Sequence, residues 1–477
     1  MTTPKQLISP TAIQELNSLL SPTGHQLITA ESNPAKYEKC IERWSVAATK
    51  PAGAVLVPES IDAVSIAVRY ATENNLDLAV CGGGHATSGS SSTNGGLLID
   101  LGSSARFTHV EVDRENSYLI AGGGANWGHV DDAGFAAGLA AVGGTVSDTG
   151  IGGLTLGGGY GWLSGKVGLT IDNVISVKLV TADGSVVVAS KEKNQELFWA
   201  VRGAGHNFGV AVQFVYQGHA FGSGLVEKRI AGAEGSQAFA GTLVFPTALL
   251  GRVLGVLNSL FGAEGKLKGG TAAGGFALAR APLIAAGNKA MAPVVILVPV
   301  VWLSDQASGE VAFRDLLNLG PISSNLKMMD YPGLNRIFQF EPGTRSSLKG
   351  CAFQLPIREE FARNLLESFS RFTEQVPDAA GSFVQFDLLD PTVIATKASN
   401  TDMAFCNRGY HLNGAAEVFW HSAENDQVCR QWARDIAGIF KDELERGIQK
   451  NTGAVMMYGN LERKSEILFF CFYRFAD

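Results

Sequence analysis

Three dense clusters of glycine mark the first half of the chain: CGGGHATSGSSSTNGG (81–96), VGGTVSDTGIGGLTLGGGYGWLSGKVGL (142–169) and GAGHNFG (203–209). The chain has 57 glycines in 477 residues, well above the roughly 7% of an average protein. Clustered glycine without a collagen period means tight loops and close approach of backbone to another backbone or to a ligand. A glycine loop that follows a strand can aim several N–H groups at one anion, and Thr87, Ser88, Ser90 and Ser91 add hydroxyl donors to the first loop. A pyrophosphate is the natural guest. A ligand-free surface loop is the alternative for any one cluster and is harder to sustain for three.

The dinucleotide is not read as nicotinamide. A Rossmann unit needs GxGxxG after a strand, opening a helix. The sequence Gly203-Ala204-Gly205-His206-Asn207-Phe208 lacks the third glycine and precedes a strand, and the run Gly150 to Gly161 is expected to lie between loops.

Around these clusters the chain alternates helix and strand. Ser60 is an expected N-cap with Asp62 in the first turn, and Val64, Ala67, Val68 and Ala71 recur at helical spacing up to Asn74-Asn75. Strands are expected at Leu76 to Val80, at LLIDL and around THVEVD and YLIAGG. A helix is expected from Asn126 to Leu139, with Trp127, Val130 and Phe135 as its apolar surface. DNVISVKLVTADGSVVVAS reads as a hairpin turning at Asp183-Gly184, and the helix ELFWAVR precedes the strand VAVQFVY. After about residue 220 the glycine loops thin out. VVILVPVVW, GSFVQFDLL and YHLNGAAEVFW read as strands, and His421 to Glu445 as a helix with Val428, Trp432, Ile436 and Phe440 on one face.

Composition narrows the function. The chain is 46% hydrophobic and 17% charged with a net charge of −7, and no basic stripe with interleaved aromatics points to nucleic acid. The longest apolar run, residues 292–303, contains proline and is too short for a membrane span. Six cysteines show neither CxxC pairs nor metal-ligand spacing, so no metal is expected. With no secretory signal at the N-terminus, the expectation is an intracellular protein with free thiols, a secreted one being the alternative.

The run AVCGGGHATSG resembles the first FAD loop of the vanillyl-alcohol-oxidase flavoproteins, in their berberine-bridge-enzyme-like branch. GIGGLTLGGGYGWLSGKVGLTIDNV resembles the second FAD loop of that branch, and ELFWAVRGAGHNFGVAVQF the helix and strand that close its FAD domain. The likeness runs from about residue 45 to 215 and more faintly to 460. It implies an α+β fold: a PCMH-type FAD-binding domain of two subdomains (1–218), a substrate-binding domain (219–449) whose antiparallel sheet is covered by helices, and a C-terminal segment (450–477) returning to the FAD domain. It implies FAD contacts from Gly82, Gly83, Gly84, His85, Ala86, Thr87, Ser88 and Gly89 in the first loop. In the second loop it implies contacts from Gly144, Thr145, Asp148, Thr149, Gly152, Gly153, Gly158, Gly159, Gly161 and Trp162, with Val210, Tyr458 and Asn460 added from elsewhere.

In that family the histidine of GGGH is joined to the flavin 8α-methyl group, and His85 stands in its place. Many members add a cysteine link four residues before the GxGG motif, where this chain has Val146, so a single link is implied. Cys81 stands where relatives often carry arginine or lysine. The implied activity is oxidation of a small organic molecule, an alcohol, amine or activated C–H compound of specialised metabolism. Molecular oxygen is the implied acceptor and peroxide the product. The alternatives are a dehydrogenase using another acceptor and a non-redox cyclase that keeps FAD as structure. Candidates for the base are His411 and Tyr458. Asn413 occupies the place where some relatives carry a glutamate base and cannot itself take a proton. Arg408 is either a substrate contact or a loop salt bridge. The apolar tail, with Phe469, Phe470 and Phe472, is expected to pack into the core.

Overall fold

After two helices, Pro10–Leu20 and Pro34–Ile41, the chain forms a small parallel sheet around the helix that its first two strands enclose. In the computed structural model, which describes residues 5–220, 237–262, 265–281, 292–338 and 343–451, strands β1 (Ala54–Leu56), β2 (Leu78–Cys81) and β3 (Leu97–Asp100) align in the order β1-β3-β2. Helix α1 (Ile61–Glu73) crosses from β1 to β2. Ser60 caps it by accepting from the Ala63 N–H at 3.2 Å, Asp62 lies in the first turn, and Asn74 ends it. Its stripe of Ala63, Val64, Ala67, Val68 and Ala71 is buried against the sheet. The first glycine loop leaves the C-terminal end of β2.

A second, antiparallel sheet follows: β4 (Val110–Asp113), β5 (Tyr118–Gly122), β6 (Val174–Val180), β7 (Val186–Ser190) and β8 (Val210–Gln217), in the order β4-β5-β8-β6-β7. The expected hairpin is β6–β7, with Gly184 at φ 82° and the Asp183 carboxylate accepting from the Ser185 N–H. Helix α2 (Trp127–Ala137) is capped by Asn126 and ends in left-handed Gly138. The second glycine run corrects the expectation of loop on both sides. Residues Ile151–Leu156 form a short helix, α3, because Ile151, Leu154 and Thr155 bury one side of it, and packing overrides the poor propensity of its glycines. Helix α4 (Gln195–Ala204) precedes β8.

The second half builds an eight-stranded antiparallel sheet. Strands β9 (Gln237–Pro246), β10 (Ala272–Arg280), β11 (Val294–Trp302), β12 (Arg345–Phe353), β13 (Phe383–Leu389) and β14 (Leu412–Trp420) run in the order β9-β11-β10-β13-β14-β12, and the short pieces Ser323–Ser324 and Lys327–Asp330 pair with β9. One face is covered by α5 (Leu250–Phe261), α7 (Glu359–Gln375) and α8 (Asp426–Asn451); the short α6 (Tyr331–Leu334) stands apart from them. Phe361, Phe386 and Phe440 meet there at 4.9–5.7 Å. Trp432 stacks on Phe372 at 4.2 Å.

Two boundaries differ from the sequence reading. Strand β14 begins at Leu412, so Tyr410 and His411 precede it. Helix α8 begins at Asp426 rather than His421, because the Asp378 carboxylate accepts from the His421 and Ser422 N–H groups and holds that stretch in a loop. Val428 is exposed, while Trp432, Ile436 and Phe440 are buried. The five cysteines among the described residues, Cys40, Cys81, Cys351, Cys406 and Cys429, are free. Among those residues no His, Cys, Asp or Glu cluster fits a metal, and no helix is long and apolar enough to cross a membrane. Tyr458, Asn460, Cys471 and the tail phenylalanines lie outside the described residues.

Candidate cofactor cradle and facing carboxyl pair

The two principal glycine loops touch. A Cβ on Gly83 would lie 2.4 Å from the Gly150 nitrogen, and a Cβ on Gly150 would lie 2.5 Å from the Gly83 nitrogen. Only glycine at both positions allows the backbones to meet. The meeting point floors a cavity lined by Gly82 to Ala86, Ser90, Ser91, Gly123, Thr149, Gly150, Gly152 and Gly153, with Leu78, Leu101, Leu154, Leu156, His206, Gly209 and Val210 completing the wall. A second, more open cavity continues beside it along Lys50, Asp77, Ser88, Gly89 and Thr93.

The expected residues divide accordingly. Gly82 to Ala86, Thr149, Gly152, Gly153 and Val210 line the first cavity, and Ser88 and Gly89 line the second. Thr87 is buried and borders neither, and Gly144, Thr145, Gly158, Gly159, Gly161 and Trp162 line neither. Two of these glycines are needed for close packing. A Cβ on Gly159 would strike Thr170 and Leu154, and one on Gly161 would strike the Gly143 carbonyl. Trp162 packs on Ala240, Ala273 and Tyr331 and stacks on Phe338, beneath the large sheet. His206, Gly209 and Gly123 are lining residues that no motif singled out, although His206 and Gly209 belong to the third glycine cluster.

His85 sits at the edge of the cradle with its side chain 12% exposed. Its ring stacks on Trp44 at 5.0 Å with planes 21° apart. Nε2 lies 3.3 Å from Asp148 Oδ1, while Nδ1 is buried with no hydrogen-bond partner. The Asp148 carboxyl is shifted downward: partial burial pushes it up, and the hydrogen bond and charge of His85 outweigh that push. Ser91 Oγ, also at the cavity, is buried without a partner.

Cys81 contributes no charge, and burial raises its thiol to about 12. The cation comes from elsewhere in the chain. Arg43 is buried beside Cys81 and Gly84 and donates from Nε and Nη2 to the Ser91 carbonyl at 3.2 and 2.7 Å. It donates from Nη1 to the carbonyls of Cys40 and Glu42. Arg43 therefore clamps the first loop and brings a positive charge to it. The second loop is tied to α6. The Ser147 N–H donates to the Asn335 carbonyl, and Asn335 Nδ2 donates to Asp131 Oδ2 at 2.6 Å. Burial raises the Asp131 carboxyl to about 8.

The large sheet faces this cradle. Phe419 of β14 meets Trp44 edge-on at 5.6 Å, the Ser346 N–H donates to Ser45 Oγ, and the Val46 N–H donates to the Thr344 carbonyl. The period of two puts Asn413, Ala415 and Glu417 on the same face as Phe419. Strand β13 adds Phe383, Gln385 and Asp387, since Phe383 pairs with Glu417 and Gln385 with Ala415. Glu417 is fully buried, and neither carboxyl oxygen has a hydrogen-bond partner. Burial and then the charge of Asp387 hold Glu417 well above the carboxylate range, and burial raises Asp387 to about 7. Sequence reasoning stopped at Asn413; continuing its alternation by four residues reaches Glu417.

The other described candidates are His411 and Arg408. His411 precedes the strand, is buried, and is pushed down to about 4 by desolvation. Arg408 is a loop salt bridge: it pairs with Asp172, both almost wholly buried, and donates to the Ile394 carbonyl.

Residues 52–190 match the family model described as FAD binding domain. The chain is 40% identical over 207 residues to FAD-linked oxidoreductase pgmH of Aspergillus terreus, covering 43% of this chain and 41% of that one. It is 41% identical over 154 residues to (R)-6-hydroxynicotine oxidase of Paenarthrobacter nicotinovorans, covering 32% and 33%. The matched stretch thus spans about two fifths of the first relative's length and a third of the second's. Among solved structures, 6-hydroxy-D-nicotine oxidase from Arthrobacter nicotinovorans superposes with TM-score 0.69 at 23% identity, over 88% of this chain and 86% of that one. Berberine bridge enzyme from Eschscholzia californica superposes with TM-score 0.71 at 19% identity, over 92% and 86%.

Proposed function

From a chain whose residues 52–190 are an FAD-binding domain and whose fold is that of the vanillyl-alcohol-oxidase and PCMH-type flavoproteins, we propose an FAD-dependent oxidoreductase. It takes a hydride from a small organic substrate and passes the electrons to molecular oxygen with release of peroxide. The observation that carries the reading is the junction of the two glycine loops, where Gly83 and Gly150 meet without room for a side chain. The residues there fit FAD. Backbone N–H groups of both loops and the unpartnered hydroxyl of Ser91 offer donors to a pyrophosphate, and the buried Nδ1 of His85 offers a lone pair to one covalent link. FAD, when bound, supplies the ring that accepts the hydride.

The chain's own residues do the rest. Arg43 holds the first loop in shape through the Ser91 carbonyl. The β14 strand lies over the edge of the cradle, with Phe419 against Trp44. Asp387, with its carboxyl near 7, takes the substrate proton at its carboxylate, and Glu417 beside it stays protonated and holds the shared charge to one. This pair takes the role that Asn413 cannot fill.

The test is anaerobic addition of a panel of alcohols, amines and phenols to the yellow protein. Bleaching of the flavin by at least one compound, and peroxide release when air is admitted, is the expected result. Bleaching without peroxide points to a dehydrogenase. Product formation with no bleaching points to a cyclase, and a protein that neither holds nor takes up FAD overturns the reading.

A further inference from the structure

Resting on the reading that His85 carries the flavin, we propose that Asp148 is the positioning residue that makes Nδ1 of His85 the bonding atom, by holding the proton on Nε2. Three observations converge. Nε2 lies 3.3 Å from Asp148 Oδ1. Nδ1 is buried with no partner of its own. The Trp44 stack holds the ring plane in which these two nitrogens lie. A neutral imidazole has one N–H and one lone pair, and the carboxylate decides which nitrogen keeps the proton. Asp148 is half exposed, its side chain 55% accessible, and its carboxyl is held below the ordinary range. It therefore remains a charged acceptor throughout the neutral region.

The step balances with molecular oxygen as the oxidant. One C–H bond of the 8α-methyl group and one N–H bond of the imidazole break, and one N–C bond forms. The two protons and two electrons released convert O2 to hydrogen peroxide. As Nδ1 bonds to carbon, the Nε2 proton becomes acidic, and the carboxylate 3.3 Å away is placed to receive it. The same arrangement is built into many nucleophile–base pairs that a third group orients. Here the carboxylate is the orienting group and the imidazole the nucleophile.

The experiment compares wild type, His85→Ala, Asp148→Asn and Asp148→Leu in the full chain expressed with FAD. After acid precipitation, intact mass gives the fraction of chains carrying flavin. Before it, absorbance gives the total FAD held by the folded protein. A time course after adding FAD to protein made flavin-poor gives the rate of attachment. The expected result is complete attachment in wild type and none in His85→Ala. Attachment in Asp148→Leu should slow by roughly a hundredfold, the scale of a lost general-base contact, with Asp148→Asn intermediate and FAD binding retained in both. Isolation of the flavin peptide from wild type should show the bond at Nδ1. That measurement is independent of how the variants fold. No covalent flavin in wild type overturns the His85 reading together with this one. Wild-type attachment rates in both Asp148 variants, or a bond at Nε2, overturn the role of Asp148 while leaving the His85 link standing.

Discussion

At the scale of single residues, the site combines groups that are charged by position and groups that are neutral by burial. Glu417 and Asp387 share one sheet face, and two negative charges there would be costly in a buried setting. This predicts an asymmetric response to amide substitution. Glu417→Gln mimics a protonated acid and should lower kcat by less than about tenfold, whereas Asp387→Asn removes the proton acceptor and should lower it by roughly 10²–10⁴-fold. Wild-type kcat should rise with pH through about 7, where Asp387 loses its proton, and the rise should be absent in Asp387→Asn. Steady-state rates across pH 5 to 9 decide the matter, and an unaltered profile in Asp387→Asn would remove Asp387 from the mechanism. His85→Ala should still bind FAD, because the Gly83–Gly150 junction does not depend on it, and should release the flavin on denaturation.

At the scale of elements, the loops are held by contacts that span long stretches of chain. A methyl at Gly83 would meet backbone rather than a movable side chain, so Gly83→Ala should part the two loops. The flavin-to-protein ratio after purification should fall severalfold. The buried Arg408–Asp172 pair pins the 390–408 segment to the FAD domain. Asp172→Ala leaves a buried guanidinium unmatched and should cost about 3–5 kcal/mol, while Arg408→Met combined with Asp172→Leu should recover much of it; chemical denaturation of the wild type and the two variants checks this. These elements also show what could be read in advance. Ser60 announces its helix because a cap is local chemistry, and the Asp183-Gly184 turn is equally local. The start of α8 is not local chemistry, since Asp378, more than forty residues earlier, holds His421 and Ser422. The charge missing at Cys81 could not be traced to Arg43, since their adjacency exists only after the second helix of the chain, residues 34–41, folds against the first loop. Glu417 looked like an ordinary strand residue until its partners across β13 and β12 enclosed it.

For the molecule as a whole, three carboxyls, those of the buried Asp131 and Glu417 and of the half-buried Asp387, have raised values. Each binds its proton more tightly when folded than when unfolded, so each favours the folded state most at low pH and loses that contribution as pH climbs through its folded value. Across about pH 4 to 8 these groups should therefore make the protein less stable as pH rises, and Asp131→Asn should flatten part of that slope; melting temperature against pH measures it, and an unchanged slope in Asp131→Asn would refute the assignment. The row formed by His85, Trp44 and Phe419 has a further consequence. Trp44 lies between the histidine proposed to carry the flavin and the sheet that covers it, so its indole is a built-in optical gauge. Its emission falls in the range where oxidised flavin absorbs, and the fraction lost by comparison with Trp44→Phe reads out, without any label, both the arrival of the cofactor and the seating of the sheet above it.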